Sequence, residues 1–484
     1  MQKSLVKNSI YNIIYTSANI LFPFLTSIYI SRLLLPNGVG KVAYAQNIAS
    51  YFLSFAALGL PSYGVREFAK IREDKDKRNK LFTELFLINL ISTTFAVLGF
   101  FILLFINNAF NNEWKLYIAC GLVVFFNYLN IDWLYQGMEE YGYITGRSIL
   151  IKVLSFICVV LLVRSQFDYV IYALISSLAT VGNYLFNIFH ARRIVKFDFR
   201  NLDIKKHLKP VLLIAVVVFL SGIYSKIDTT MLGMMTTPES VGYYTYAQKT
   251  VNIVITLAAA VTAALLPRLS FYYDKDRDNF FVLLDKGFRV LCLTAIPLCA
   301  GLYLIADQAV RILYGNAFLP TILTIRLMCP LILIKGFGDL FCYQLVYSTR
   351  NEKILVPASI LASTINISMN AVLIPIFLQN GAVVASVFSE LVTNIVQYIY
   401  IKKRVAFKLN MKALKQSFLT TGIMIFCILI VSQFDIPNFA MFFIKLILGG
   451  SAFVIGNLFL KNEIIVEALE RIKKFVTRHN KNIV

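Results

Sequence analysis

Fourteen apolar stretches of about 20 residues run through the chain, each long enough to cross a bilayer core as a helix. They lie near 9–31, 42–65, 82–106, 116–136, 144–163, 168–189, 210–234, 241–266, 284–306, 321–346, 354–378, 380–401, 414–433 and 438–460. Composition agrees with lipid rather than water as the solvent. Hydrophobic residues make up 58% of the chain and charged residues 15%, against roughly 45–50% and about 25% in soluble domains. Length alone would suggest about three soluble domains, and the spacing of the apolar runs overrules that prior. The first span is punctuated by Asn12, Thr16 and Asn19 and lacks an A-x-A exit. It is therefore expected to stay in the protein rather than be removed as a signal peptide.

The loops set an orientation. About 36 of the Lys and Arg residues fall on the side of the N-terminus and about 5 on the other, so the positive-inside rule places both termini in the cytoplasm of a multi-pass plasma-membrane protein. The basic side includes "KIREDKDKRNK" (70–80), "ARRIVKFDFRNLDIKKHLK" (191–209) and "KKRVAFKLNMKALK" (402–415). The net charge of +21 is thus mainly a topology signal. A nucleic-acid surface is a poor rival, because these runs are split among short loops without interleaved aromatics.

One sentence of the sequence is written twice. Residues 36–46, "PNGVGKVAYAQ", and 238–248, "PESVGYYTYAQ", share the pattern P-x-x-V-G-x-x-x-Y-A-Q at an offset of 202. At the same offset Arg66 meets Arg268, and "DKD" (74–76) meets "DRD" (276–278). Pro36 and Pro238 stop one helix or start the next, Gly40 and Gly242 permit a close approach, and Tyr44 and Tyr246 suit a membrane interface. The expected architecture is an all-α polytopic membrane protein of about fourteen transmembrane helices. Residues 1–209 would form an N-terminal lobe of helices 1–6 and residues 210–404 a C-terminal lobe of helices 7–12. Residues 405–484 would add helices 13–14 and a basic tail. Six spans per half make this a parallel repeat about an axis along the membrane normal.

Seven spans carry polar stripes at helical spacing. Examples are Ser359, Ser363, Asn366 and Asn370 in the eleventh, and Ser386, Glu390, Asn394 and Gln397 in the twelfth. One such stripe is usually helix–helix glue, whereas seven point to a shared wet cavity. Six basic residues are read at depth: Lys152, Lys226, Lys249, Arg326, Lys335 and Lys445. Asp132, Asp228, Asp339 and Glu390 lie at depth with them, and Glu84 near an end. An ionisable group at the bilayer centre costs roughly 2.5–3.5 kcal/mol, so function is the default reading and mutual pairing the bland one. The excess of positive charge suits an anionic substrate. Lys335 and Asp339, spaced i, i+4, are a good pairing case. The seven cysteines all fall inside apolar spans without a C-x-x-C pair, which indicates neither a zinc site nor a disulfide frame.

The stretches "PFLTSIYISRLLLPNGVGKVAYAQNIASYFLSFAALGLPSYGVREFAK" (23–70), "DWLYQGMEEY" (132–141) and "SKIDTTMLG" (225–233) with "VGYYTYAQ" (241–248) carry a resemblance. The chain resembles the polysaccharide flippases of the multidrug/oligosaccharidyl-lipid/polysaccharide exporter superfamily, in the O-antigen and capsule repeat-unit branch, over nearly its whole length. The resemblance implies twelve core helices in two lobes plus two extra ones. It also implies a cationic cavity that carries an undecaprenyl-pyrophosphate-linked oligosaccharide across the plasma membrane by alternating access. Polysaccharide polymerase and glycosyltransferases would be partners, along with the lipid bilayer. Arg32, Lys152, Lys226, Lys249, Asp132 and Asp228 are the candidate substrate-binding residues, and Arg66 and Arg268 the candidate gating pair. Arg32, Arg66, Asp132 and Asp228 fall within family-like motifs; the lysines rest on the stripes. No cofactor is expected, and coupling to an H+ or Na+ gradient is left open.

Other functions fit less well. An ATP-driven pump needs a phosphate-cradling G-x-x-x-x-G-K-[ST] loop, which the sequence lacks. A membrane glycosyltransferase would need a long outer loop bearing carboxylates or arginines, and the outer loops here are short. An ion-coupled multidrug or cation antiporter of the same superfamily would prefer an acidic cavity. A flippase for the lipid-linked peptidoglycan precursor is a further alternative.

Overall fold

The computed structural model describes residues 5–106, 112–263, 265–405, 407, 409–467 and 470. Among these the regular structure is entirely helical. The chain divides into two compact units, Met1–Gly242 and Tyr243–Val484.

The first unit begins with α1 (Leu5–Ala57), which holds the first two spans. They are parted by a break at Leu35, whose φ of 56° and ψ of 176° lie outside the helical region. Pro36 explains the break. It removes a backbone donor and disfavours the α conformation at the preceding residue. A second break follows at Gly59, in left-handed conformation (φ 71°), before the short amphipathic helix α2 (Leu60–Lys70) with proline in its first turn. Glycine is the residue that adopts this φ without cost. Then come α3 (Lys75–Ile106), α4 (Trp114–Phe125), α5 (Asp132–Gly137), α6 (Tyr141–Leu162), α7 (Tyr169–Ala191) and α8 (Lys205–Met235). One core joins α1, α3, α4 and α7 through small residues such as Ala45, Ala49, Ala56 and Ala173 and larger ones such as Phe100, Tyr117 and Val124. A second core gathers Phe68, Phe82, Trp133 and Tyr135 around the basic end of the helices.

The helix α9 (Pro238–Ala263) carries the chain into the second unit. It is followed by α10 (Leu265–Lys275), α11 (Arg277–Leu313), α12 (Thr321–Met328), α13 (Pro330–Gly338), a π-helical turn (Asp339–Gln344) and α14 (Leu345–Ser348). The unit closes with α15 (Leu355–Phe377), α16 (Gln379–Lys402), α17 (Met411–Val431) and α18 (Asn438–Phe459). Asp276 caps α11 by accepting from the Asn279 backbone N–H, which satisfies one of the orphan donors of the first turn. Pro330, which has no N–H to donate, opens α13 where the tenth expected span parts into α12 and α13.

Eleven helices among the described residues are long and apolar enough to cross a membrane. The difference from fourteen has particular sources. The first two expected spans run together with α2 as one helical stretch, Ile10–Lys70. The fourth is the shorter Trp114–Leu129. The eighth expected span, 241–266, lies partly outside the described residues. Large exposed side chains such as Phe105 (80%) and Phe459 (83%) are numerous. An apolar surface of this extent marks contact with a membrane rather than water.

Two polar stripes pair with each other inside the second unit. Asn370 donates to Asn366 Oδ1 at 3.0 Å, and Asn366 donates to Ser386 Oγ at 3.4 Å. These members of the eleventh and twelfth stripes are therefore glue between α15 and α16. Tyr246 also departs from expectation. It is buried against Tyr314 and Phe318, at 4.6 and 4.9 Å between ring centroids, so it is a core residue and not an interfacial anchor.

Candidate functional site

The duplicated turns meet. A methyl group added to Gly40 would overlap the Pro238 carbonyl, and one added to Gly242 would overlap the Pro36 carbonyl. Each glycine thus lets the backbone of the other copy approach to a distance that no side chain permits. Between them Asn37 Nδ2 donates to Glu239 Oε1 at 2.5 Å, across a separation of 202 residues. The Asn37–Glu239 bond joins corresponding places in the repeat, and the two glycine–proline approaches are reciprocal across it. A small cavity of about 150 Å³ lies beside this contact, bounded by Gly40, Lys41, Tyr44, Glu113, Gly233 and Pro238 among others. In its wall Lys41 and Glu113 form an ion pair at 2.6 Å, and Tyr169 donates to the same carboxylate at 2.8 Å.

From that turn, the second segment of α1 and the helix α8 run together as a polar seam. Any side chain on Gly233 would overlap the Tyr44 ring. Asn47 donates to Thr230 Oγ1 at 2.7 Å, and the Tyr51 hydroxyl meets the same oxygen at 2.9 Å. Lys226 Nζ donates to the Ser50 carbonyl and to Ser54 Oγ, both at 3.2 Å, and lies 5.5 Å from the centroid of the Tyr51 ring. Its acceptors are neutral, so the ammonium charge is solvated but not cancelled. Asp228, on the same helix, is buried.

The other expected residues lie on several helices of the two units. Arg32 is exposed near the end of the first segment of α1, and Lys152 is half-buried on α6. Lys249 belongs to the second unit, half-buried on α9 and 5.2 Å from the centroid of Tyr246. Arg66 is exposed on α2, paired with neighbouring Glu67 at 2.9 Å and lying over Tyr63. Arg268 is exposed on α10.

Asp132 sits in a network that includes a residue missed by the sequence reading. Arg147, on α6 and 3% exposed in its side chain, pairs with Asp132 at 3.2 Å. Asn187 of α7 donates to the same Asp132 oxygen at 2.5 Å and accepts from Arg147 Nη1. Arg147 also donates to the Asn183 carbonyl at 3.2 Å. The network binds α5, α6 and α7 together, which is the bland reading of an intramembrane charge. Arg147 lies four residues into its expected span, where an arginine reads as an ordinary flank. The signal that could have found it is the deep Asp132, which needs a cation.

A second buried network was equally invisible. His207, at the start of α8, receives Tyr63 at Nδ1 (2.6 Å) and faces Glu84 through Nε2 (2.8 Å). The segment leading to it is laced along α3. The backbone N–H groups of Lys196, Asp198 and Asp203 donate to Asn79, Thr83 and Glu84 respectively, each at 2.8 Å.

Long bent helices, an uncancelled cation at depth and a duplicated turn packed on itself define a membrane transporter fold. Solved structures share it. The lipid II flippase MurJ in an inward closed conformation superposes with a TM-score of 0.75 at 17% identity, over 94% of this chain and 100% of that one. An inward-facing multidrug resistance MATE transporter of the MOP superfamily gives 0.59 at 14% identity, over 82% and 95%. A family model described as polysaccharide biosynthesis protein matches residues 5–272. That is more than half of the sequence, and the chain belongs to this family. Among curated relatives, a protein of Escherichia coli K12 described as "Putative O-antigen transporter" is 21% identical over 82% of this chain and 97% of its own length. The probable flippase AglR of Haloferax volcanii is 25% identical over 42% of this chain and 43% of its own length. The resemblance read from the sequence is thereby confirmed at the level of family and fold.

Proposed function

We propose that the protein flips undecaprenyl-pyrophosphate-linked oligosaccharide repeat units across the plasma membrane, for capsule or O-antigen synthesis. Both termini lie in the cytoplasm in this reading, and the lobes 1–209 and 210–404 alternate access to the cargo. The observation that carries it is Lys226. It is half-buried in an apolar helix, and its hydrogen bonds go only to neutral oxygens of α1 among the described residues. A cation held this way costs about 2.5–3.5 kcal/mol, and a pyrophosphate offsets that cost on arrival. Attraction between them is stronger at low dielectric than at an open surface. Lys152, Lys249 and Arg32 supply further positive charge, and the lipid tail stays in the bilayer. Family membership and the relatives described as an O-antigen transporter and a probable flippase support the same reading.

In this reading the repeated turn, whose two copies touch each other, is the gate on the outer side. Proline breaks the helices, glycine lets the two turns touch, and the Asn37–Glu239 bond clasps them. Reconstitution with one defined lipid-linked oligosaccharide, scored for transbilayer movement with and without an H+ or Na+ gradient, tests the function. Movement of a lipid-linked peptidoglycan precursor or a cationic drug in place of that cargo would reassign the substrate.

A further inference from the structure

A basic cavity lies within the second unit, lined by none of the residues of the proposed transport site. It occupies about 150 Å³ where α17 begins and α18 ends, with Arg289, Asn410, Lys412, Gln416, Lys461 and Glu463 in its wall. A water takes about 30 Å³ of liquid, so the space suits a group of several heavy atoms. Its frame is fixed. Asn410 caps α17 by accepting from the Ala413 N–H at 3.0 Å. Gln416 donates to the Leu460 carbonyl at 3.4 Å, and buried Asn462 accepts from the Ile464 N–H at 3.2 Å. Lys461 itself sits at a φ of 49°, turning the chain sharply at the end of α18.

Three cations and one carboxylate, Glu463, line this space, and a second carboxylate, Asp285, also holds Arg289. Arg289 is held by Asp285 at 2.7 Å and by Glu463 at 2.6 Å. Lys412 and Lys461 are exposed at the rim. The first turn of α17 adds the partial positive charge of a helix N-terminus. The strongly apolar Met411 (53% exposed) and Phe459 (83%) stand beside the same rim. A cationic cavity flanked in sequence by exposed apolar residues suits lipid headgroups, where charge and hydrocarbon meet. Basic pockets between transmembrane helices are known receptors for anionic headgroups.

We propose that this cavity binds the phosphodiester headgroup of an anionic phospholipid. Glu463 occupies the guanidinium of Arg289 until the phosphate displaces it, and the two lysines complete the contact. Arginine suits this exchange because its planar fork serves carboxylate and phosphate alike. The site lies on the two helices outside the sequence repeat and on α11, and it shares no residue with the proposed cargo site.

The test uses the full chain in detergent, titrated with short-chain phosphatidylglycerol and followed by native mass spectrometry. Short-chain phosphatidylcholine and glycerol 3-phosphate form the comparison arms. Phosphatidylglycerol should bind in preference to phosphatidylcholine. The double variant Lys412→Gln/Lys461→Gln should weaken its binding at least fivefold, and Glu463→Gln should strengthen it about threefold. That rise cannot come from a damaged fold. Unchanged binding in the double variant overturns the proposal, as does weaker binding in Glu463→Gln or equal binding of phosphatidylcholine. Displacement by glycerol 3-phosphate at the concentration of the lipid would make this a site for a free phosphate, and that also overturns it.

Discussion

Asn37 donates to Glu239, the residue that stands at its own place in the second copy of the repeated turn. A bond between corresponding positions lies close to the local two-fold relation that the duplication implies. The reciprocal approaches of Gly40 to Pro238 and Gly242 to Pro36 flank it.

If this contact is a gate, locking it should stop transport. The pair Asn37→Cys/Glu239→Cys should form a disulfide under oxidation, halting oligosaccharide movement, and reduction should restore it. Adding Gly40→Val should lower the yield of the cross-link several-fold, since the new side chain cannot share space with the Pro238 carbonyl. Full transport by the cross-linked protein would reject the gate.

The Asp132–Arg147 pair is asymmetric, with Arg147 almost wholly buried and Asp132 about a third exposed. Asp132→Asn strands a buried guanidinium, which costs on the order of 3 kcal/mol. Its thermal midpoint in detergent should fall clearly. Adding Arg147→Met should recover part of the loss, because an apolar side chain of similar length carries no charge to be satisfied. No recovery would mean that the pair supports something other than helix packing.

Neutralising Arg32, Lys152 and Lys249 together should abolish transport and leave a folded, inserted protein. The conservative exchanges Lys152→Arg and Lys249→Arg should retain a part of it. A triple variant that flips lipid-linked oligosaccharide at the normal rate would remove the cationic mechanism.

His207 is tied on both ring nitrogens. His207→Ala would leave the buried Tyr63 hydroxyl unpartnered, at a cost of about 1–3 kcal/mol, and would take one partner from Glu84, which keeps the Asp203 N–H. The measured quantity is again the thermal midpoint. Lys206, 3.5 Å from Glu84, should soften the effect, so Lys206→Gln should add to the loss.

Orientation can be read by labelling. A cysteine at Thr237 should react with an impermeant reagent in intact cells, and one at Asp76 only after permeabilisation. Reaction at Asp76 in intact cells would invert the assignment drawn from the basic loops.

What the sequence disclosed follows from what is local in it. Apolar runs of fixed length announce spans, proline announces breaks, and a glycine at a repeated place announces a close approach. Gly40 and Gly242 were readable because the duplication put them in register; their partners Pro238 and Pro36 were in the same motif. Arg147 and His207 were not, because their roles depend on residues far off in sequence. Glu84 stands 123 residues from His207, and nothing in either segment points to the other. The stripes misled in part for the same reason. Spacing shows that Asn366 and Asn370 share a face, but only packing shows that the face meets Ser386 instead of a wet cavity. Tyr246 was placed at the interface by residue type, and its burial depends on Tyr314, which no local pattern connects to it.

The lacing of residues 196–207 onto α3 bears on how the protein is made. Its acceptors Asn79, Thr83 and Glu84 have all left the ribosome before their donors do. The seventh span is therefore handed to a partner already in place. Bonds that join this span to Asn47, Ser50, Tyr51 and Ser54 also run backward along the chain. Domains generally fold as units with the N-terminal one first during synthesis. The first half of the transporter can thus assemble and hold its eighth helix ready while the second half is still being translated. A nascent chain arrested beyond Gly242 already contains every partner in these bonds.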